Sequence, residues 1–159
     1  MLAVIDYLDS PLAAAYFQVF TRIEYSLKRA GYSKIAKNGT IEADWDKFSK
    51  STSKDFKEDN FPRYLAAKEY LLKAPPRRQI QTDDGIVDFE RVAGPLAGNS
   101  DLEKLVNAAK RVRNNLYHGG KMSFRGEFRR NEILIEHCHE VLEAAVMSNE
   151  PVLRAYMGE

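Results

Sequence analysis

One cysteine, one tryptophan, three histidines and no extended apolar run are what this 159-residue sequence has to work with. A lone cysteine, Cys138, excludes an intrachain disulfide, and its place on an apolar helical face makes it a small core residue rather than a nucleophile. No stretch approaches the roughly 18 apolar residues of a membrane-spanning helix, so no membrane association is expected. Residues 1–8 are apolar but include Asp6, have no basic lead-in, and run into helix signals rather than a cleavage site. They read as folded structure of a cytoplasmic protein. Walker loops, dinucleotide fingerprints, serine-nucleophile motifs, repeats and low-complexity tracts are all missing. His137 and His139 are two apart and face different directions on a helix, so with Cys138 between them they cannot chelate one ion. Asp83, Asp84 and Asp88 around Gly85 are too few for a calcium loop and belong to a turn. No metal and no cofactor is expected.

What is present is ordinary globular composition, 44% hydrophobic and 30% charged, with a net charge of +1 that conceals an uneven distribution. Lys110, Arg111, Arg113, Lys121, Arg125, Arg129 and Arg130 face a single acid, Glu127, within residues 110–130. A basic cluster of this kind suits a polyanion, although a solvated basic loop has the same composition.

The length suits one domain, residues 1–159, with a core that needs no disulfide or structural metal. Ser10 as N-cap, Pro11 at the first helical position and Gly31 as a stop bound a first helix. Its stripe is Leu12, Tyr16, Val19, Phe20, Ile23, Leu27 and Ala30, whose aromatics pack rather than stack on bases. A polar turn at Asn38 and Gly39 precedes a short helix over residues 41–56, anchored by Trp45 and Phe48. Asn60 is expected to cap the next helix, with Pro62 in its first turn, Phe61, Tyr64, Leu65, Leu71 and Leu72 on one side, and Pro75 and Pro76 as the stop. Lys68 lies in that stripe and is expected to snorkel.

Residues 77–90 change character: Gln79–Gln81 and Ile86–Phe89 around Asp84-Gly85 read as a β-hairpin inserted between helices. Arg77 and Arg78 beside it could extend a path for a polyanion. Ser100 and Glu103 then form a capping box for a long helix ended by Gly119 and Gly120. A final long helix carries the stripe Leu134, Cys138, Val141, Leu142 and Ala145, with Pro151 closing it before a short tail. The predicted fold is all-α, a bundle of four to five helices with a small hairpin insertion.

On the helix that follows Ser100, Leu102, Leu105, Val106, Ala109 and Leu116 share one face at about 100° per residue, and Arg113 falls within it. A charge on a core face needs a reason. Asn107, Asn114 and His118, spaced by seven and four, line the adjoining flank. A guanidinium fork, an amide and an imidazole would converge there, followed by two glycines and Lys121, a set suited to a phosphate. Equally, Arg113 could be neutralised by Glu136 or Glu140 of the last helix, with His118 merely capping. Spacing alone leaves both readings open.

Arg113, Asn114 and His118, with four residues between the arginine and the histidine, match the Arg-x4-6-His motif of HEPN domains, and residues 112–121 resemble its prokaryotic version. The resemblance implies a HEPN-like helical domain and a metal-independent endoribonuclease in a toxin or phage-defence setting. In it the RNA 2′-hydroxyl attacks the adjacent phosphorus, leaving a 2′,3′-cyclic phosphate and a 5′-hydroxyl. Arg113 would then bind the phosphate and stabilise transition-state charge, His118 would transfer protons, and Asn114 would orient one of them. Arg111, Lys121 and Arg125 would hold RNA phosphates.

In-line transesterification needs both a base and an acid, and each chain brings one histidine to the motif. A homodimer would bring the second. An antitoxin or another regulatory protein is a further implied partner. Family toxins silenced by nucleotide transfer carry a tyrosine two residues past the histidine, however, and Gly120 stands there. The alternative to a nuclease is a non-catalytic HEPN module that binds RNA or a nucleotide, or a helical interaction domain.

Overall fold

The computed structural model describes residues 11–117 and 128–159. Within them the chain forms six α-helices and two small antiparallel hairpins. The first helix, α1 (Pro11–Arg29), opens on its proline and ends where Gly31 takes a positive φ of 83°. Ser10 and the apolar segment before it lie outside the described residues. Tyr16, Phe20, Ile23 and Leu27 are buried along α1, the spacing of an amphipathic helix turned to the core.

Where the sequence suggests a helix from residue 41, the structure has a hairpin first. Strand β1 (Ser33–Ile35) pairs with β2 (Ile41–Ala43), with Ser33 opposite Ala43. The polar turn explains it: the Asn38 side-chain oxygen accepts from Thr40 N at 3.1 Å, and Gly39 adopts φ 82°. Helix α2 (Trp45–Thr52) starts only at Asp44, whose carboxylate accepts from Lys47 N at 3.0 Å. It buries Trp45 and Phe48 as expected.

A 3-10 turn (Glu58–Asn60) leads to α3 (Pro62–Lys73). Asn60 belongs to that turn and is not the cap; Phe61 occupies the cap position without a side-chain bond. Proline needs no partner for a missing N–H, which lets the helix begin uncapped. Tyr64, Ala67 and Leu71 form its inner face, while Leu65 and Leu72 are 36% and 40% exposed. Nor does Lys68 snorkel into solvent: its ammonium lies 2.8 Å from Glu58 and 2.9 Å from Asp101, tying the 3-10 turn, α3 and the start of the next helix together.

The expected hairpin is present as β3 (Gln79–Gln81) and β4 (Val87–Phe89), turning at Gly85 with φ 81°. Helix α4 (Asp101–Tyr117) carries the expected capping box: Ser100 Oγ accepts from Glu103 N at 3.2 Å, and the Glu103 carboxylate reaches back to Asn99 N at 3.3 Å. Helix α5 (Phe128–Met147) buries Leu134, Cys138, Val141, Leu142 and Ala145 and packs against α1, α3 and α4. Pro151 does not close the chain into a tail. It sits in the first turn of a further helix, α6 (Glu150–Met157), which Asn149 caps by accepting from Val152 N at 3.3 Å. Helix α6 packs on α1 and α5. Among the described residues no helix is long and apolar enough to cross a membrane.

Candidate active site

The motif arginine is delivered by α4. Leu102, Leu105, Val106, Ala109, Val112 and Leu116 of this helix are buried, and Tyr16 of α1 donates to the Ala109 carbonyl at 3.0 Å, fixing α1 against the motif-bearing face. Arg113 emerges one turn beyond that anchor, its side chain 28% exposed. It lies over the ring of Phe20, 5.4 Å from guanidinium carbon to centroid. Its Nη2 is 3.9 Å from Glu24 Oε2, and its Nη1 donates to Asn114 Oδ1 at 3.1 Å.

Among the described residues the carboxylate beside Arg113 is therefore Glu24 of the first helix, in place of the expected Glu136 or Glu140 of the last. Glu140 instead faces Arg63 at 3.5 Å. Glu24 is itself anchored, accepting from the indole Nε1 of Trp45 at 3.3 Å, and Trp45 stacks at a tilt on Phe20 with centroids 4.8 Å apart. Phe20, Glu24 and Trp45 are the residues that sequence reasoning missed. Glu24 follows Phe20 by four positions and so borders the buried stripe of α1, but its role depends on α1 and α4 being neighbours.

The other residues of the site divide. Asn114 is exposed beside Arg113, whereas Asn115 is buried and donates to the Arg77 carbonyl at 2.9 Å. Arg111, two positions before Arg113, points to another side of α4 and donates to the Pro76 carbonyl at 2.9 Å. Burial, followed by the nearby Arg78 guanidinium, lowers the Arg111 pKa, and Glu90 opposes the shift. Arg111 and Asn115 thus clamp the segment between α3 and the β3–β4 hairpin. Asn107 donates to the Ala97 carbonyl at 2.9 Å and does not join Arg113. Arg78 of the suggested polyanion path is paired with Glu90 at 2.6 Å. His118, Lys121 and Arg125 lie outside the described residues.

Of the histidines on α5, His137 stacks on Tyr70 with ring centroids 4.5 Å apart. His139 has ligand-capable atoms within 4.8 Å of Glu140 and Glu143, beside the Arg63 cation already facing Glu140. Cys138 between them is fully buried, which pushes its thiol pKa up and leaves it without nucleophilic character.

Chemically, the Arg113 neighbourhood offers a partly exposed guanidinium, held by an aromatic face and a carboxylate, beside an exposed amide. Such a group can take a phosphate oxygen through more than one N–H. Comparison with known proteins finds no matching family model, no matching curated protein and no matching solved structure.

Proposed function

We propose that this chain is a metal-independent endoribonuclease of HEPN type. It cleaves RNA by attack of a 2′-hydroxyl on the adjacent phosphorus, the bond to the leaving 5′-oxygen breaking as the cyclic phosphate forms. The observation that supports this reading is the Arg113–Asn114 pair, bonded at 3.1 Å, with Asn114 exposed and Arg113 partly so beside an otherwise buried helical face, five and four residues before His118. Arg113 binds the phosphate and stabilises the charge that grows on its oxygens in the transition state. His118 moves protons, and Asn114 orients the group that receives one. Because one chain contributes one histidine to the motif, the complete site belongs to a homodimer, each chain supplying half. Lys121 and Arg125 hold flanking phosphates, while Arg111, turned to another side of α4 and bonded to the Pro76 carbonyl, takes no part. Cytoplasmic toxin or phage-defence activity, restrained by an antitoxin or other regulatory protein, is the corresponding setting.

Purified protein incubated with total RNA in EDTA should yield fragments ending in 2′,3′-cyclic phosphate and beginning with 5′-hydroxyl. Arg113→Ala and His118→Ala should each lower the rate by about 10²-fold or more. Absence of cleavage by the wild type, or cleavage that survives both substitutions, refutes the assignment.

A second reading, a non-catalytic module that binds RNA or a nucleotide, is favoured by one contact: Glu24 already neutralises Arg113 in part. Retained RNA binding without cleavage by the wild type is the result that selects it.

A further inference from the structure

On α5, away from the motif, Glu143 follows His139 by four residues and Glu140 by three, the spacings that bring side chains together on a helix surface. One ligand-capable atom from each of the three lies within 4.8 Å of the other two. Nitrogen and oxygen ligands held by Zn²⁺ at about 2.0–2.2 Å in a tetrahedral site stand about 3.4 Å apart, so side-chain torsions alone can close the set. Two carboxylates this near each other repel. The cation beside them, Arg63, stands 3.5 Å from Glu140 on a side chain that is 83% exposed, and a contact so open to water offsets little of that repulsion.

The same residues border a cavity of about 330 Å³ between the start of α3 and the later turns of α5. Glu140, Glu143 and Arg63 line it, with Phe61 and Met147 as apolar wall. Tyr64 belongs to the lining as well; it is 1% exposed, and its hydroxyl is buried without a hydrogen-bond partner among the described residues. A buried polar group left without a protein partner calls for water or a bound group nearby, and a cavity of this size holds a cation together with its water.

We propose that His139, Glu140 and Glu143 bind a divalent transition-metal cation, represented by Zn²⁺, with the remaining coordination position open to the cavity and filled by water. The donor set fixes the class: one imidazole and two carboxylates suit Zn²⁺ and its first-row neighbours, whereas Ca²⁺ and Mg²⁺ favour oxygen ligands throughout. The cation replaces Arg63 as the counter-charge of Glu140, and the exposed arginine turns to solvent. This site is separate from Arg113 and supplies nothing to the cleavage proposed there, which proceeds in EDTA.

Zn²⁺ titrated calorimetrically into the chelator-free full chain should bind at one site. His139→Ala and Glu143→Gln should each weaken it by at least the tenfold or so that losing even a supporting group costs a metal site. Glu143 is exposed, so its substitution leaves the core untouched. Arg63→Ala should tighten binding about two- to fivefold by removing a competing exposed cation. His137→Ala, whose ring is stacked on Tyr70, and His118→Ala should leave it unchanged. Co²⁺ in place of Zn²⁺ should give visible absorption that His139→Ala abolishes. Binding weaker than about 100 μM overturns the proposal. So does binding indifferent to both His139→Ala and Glu143→Gln, or binding that Arg63→Ala weakens, which would make the arginine a support and not a competitor. RNA cleavage in EDTA reads the Arg113 site alone, so either claim can fail without the other.

Discussion

Asn149 is the polar residue on which three elements meet, and Asn149→Ala should destabilise the protein by about 2–3 kcal/mol. The side chain is 8% exposed. Its Oδ1 accepts from Val152 N at 3.3 Å, capping α6, and its Nδ2 donates to the Thr52 hydroxyl at the end of α2 and to the Tyr32 hydroxyl after α1, each at 3.0 Å. Losing the cap costs about 1 kcal/mol. Thr52, 4% exposed, loses a donor that water replaces poorly, which costs a further 1–2 kcal/mol or so. Tyr32 is more open, also bonds Ser51 at 3.2 Å, and contributes little. For a chain of this length the sum corresponds to a fall in Tm of about 5–10 °C. Urea unfolding followed by circular dichroism should show a lower midpoint with an unchanged slope. Asn149→Ser, which keeps a capping oxygen but cannot span to both hydroxyls, should recover about half of the loss. A loss below about 0.5 kcal/mol for Asn149→Ala, or complete recovery by serine, would refute the reasoning.

The Lys68 ammonium, hydrogen-bonded to Asp101, holds that carboxyl below its ordinary pKa of 3.8. A depressed folded-state value means that the stabilisation is present above the unfolded carboxylate range and is lost as pH falls through the folded value. Tm measured from neutrality down to about pH 2 should therefore fall less steeply below about pH 4 in Asp101→Asn than in the wild type; parallel acid branches would contradict this. Glu90, lowered to about 2 by Arg78, remains in both proteins and cancels in the comparison. At Gly98, φ is 142° and an added Cβ would lie 2.7 Å from Lys104 N and 2.8 Å from Glu103 Cβ. Gly98→Ala should cost about 2 kcal/mol or more in urea unfolding, against about 1 kcal/mol for Gly31→Ala, where φ is also positive but nothing lies within 4 Å; equal costs would show that the crowding at the start of α4 is not felt.

What was legible in the sequence was local chemistry. The Ser100–Glu103 box, the Asp84-Gly85 turn and the Pro11 start and Gly31 stop of the first helix each depend on residues close in sequence, and each is found where expected, with Glu103 reaching Asn99 N and the Ser10 cap outside the described residues. What was not legible depends on neighbours distant in sequence. Lys68 reads as a snorkelling lysine because Glu58 and Asp101 belong to other elements. The β1–β2 hairpin escaped because three-residue strands with Ile35 and Ile41 facing solvent, 78% and 65% exposed, leave no alternating pattern. Pro151 could stop one helix or start another, and Asn149 two residues earlier was the deciding signal. At the site, the Arg113–Asn114 pair could be read from α4 alone. The Phe20–Glu24–Trp45 support could not, since nothing in the sequence sets α1 and α2 beside α4.

That support changes the argument for a dimer. A charged residue on a buried stripe can be explained by a second copy of the same helix covering it, and on that ground Arg113 would itself be a sign of a two-fold interface. Among the described residues the Phe20 face and the Glu24 carboxylate lie against the charge within one chain, an aromatic ring and a counter-ion that together offset part of the desolvation of a guanidinium. Arg113 does not by itself argue for association. What still argues for it is proton stoichiometry alone: a reaction that takes a proton from one oxygen and gives one to another draws on two groups, and the motif has a single histidine per chain. His137, stacked on Tyr70 in α5, is already engaged elsewhere. The dimer and the arginine site are consequently separate claims, and a monomer that binds a phosphodiester through Arg113 without cleaving it would satisfy the second while removing the first.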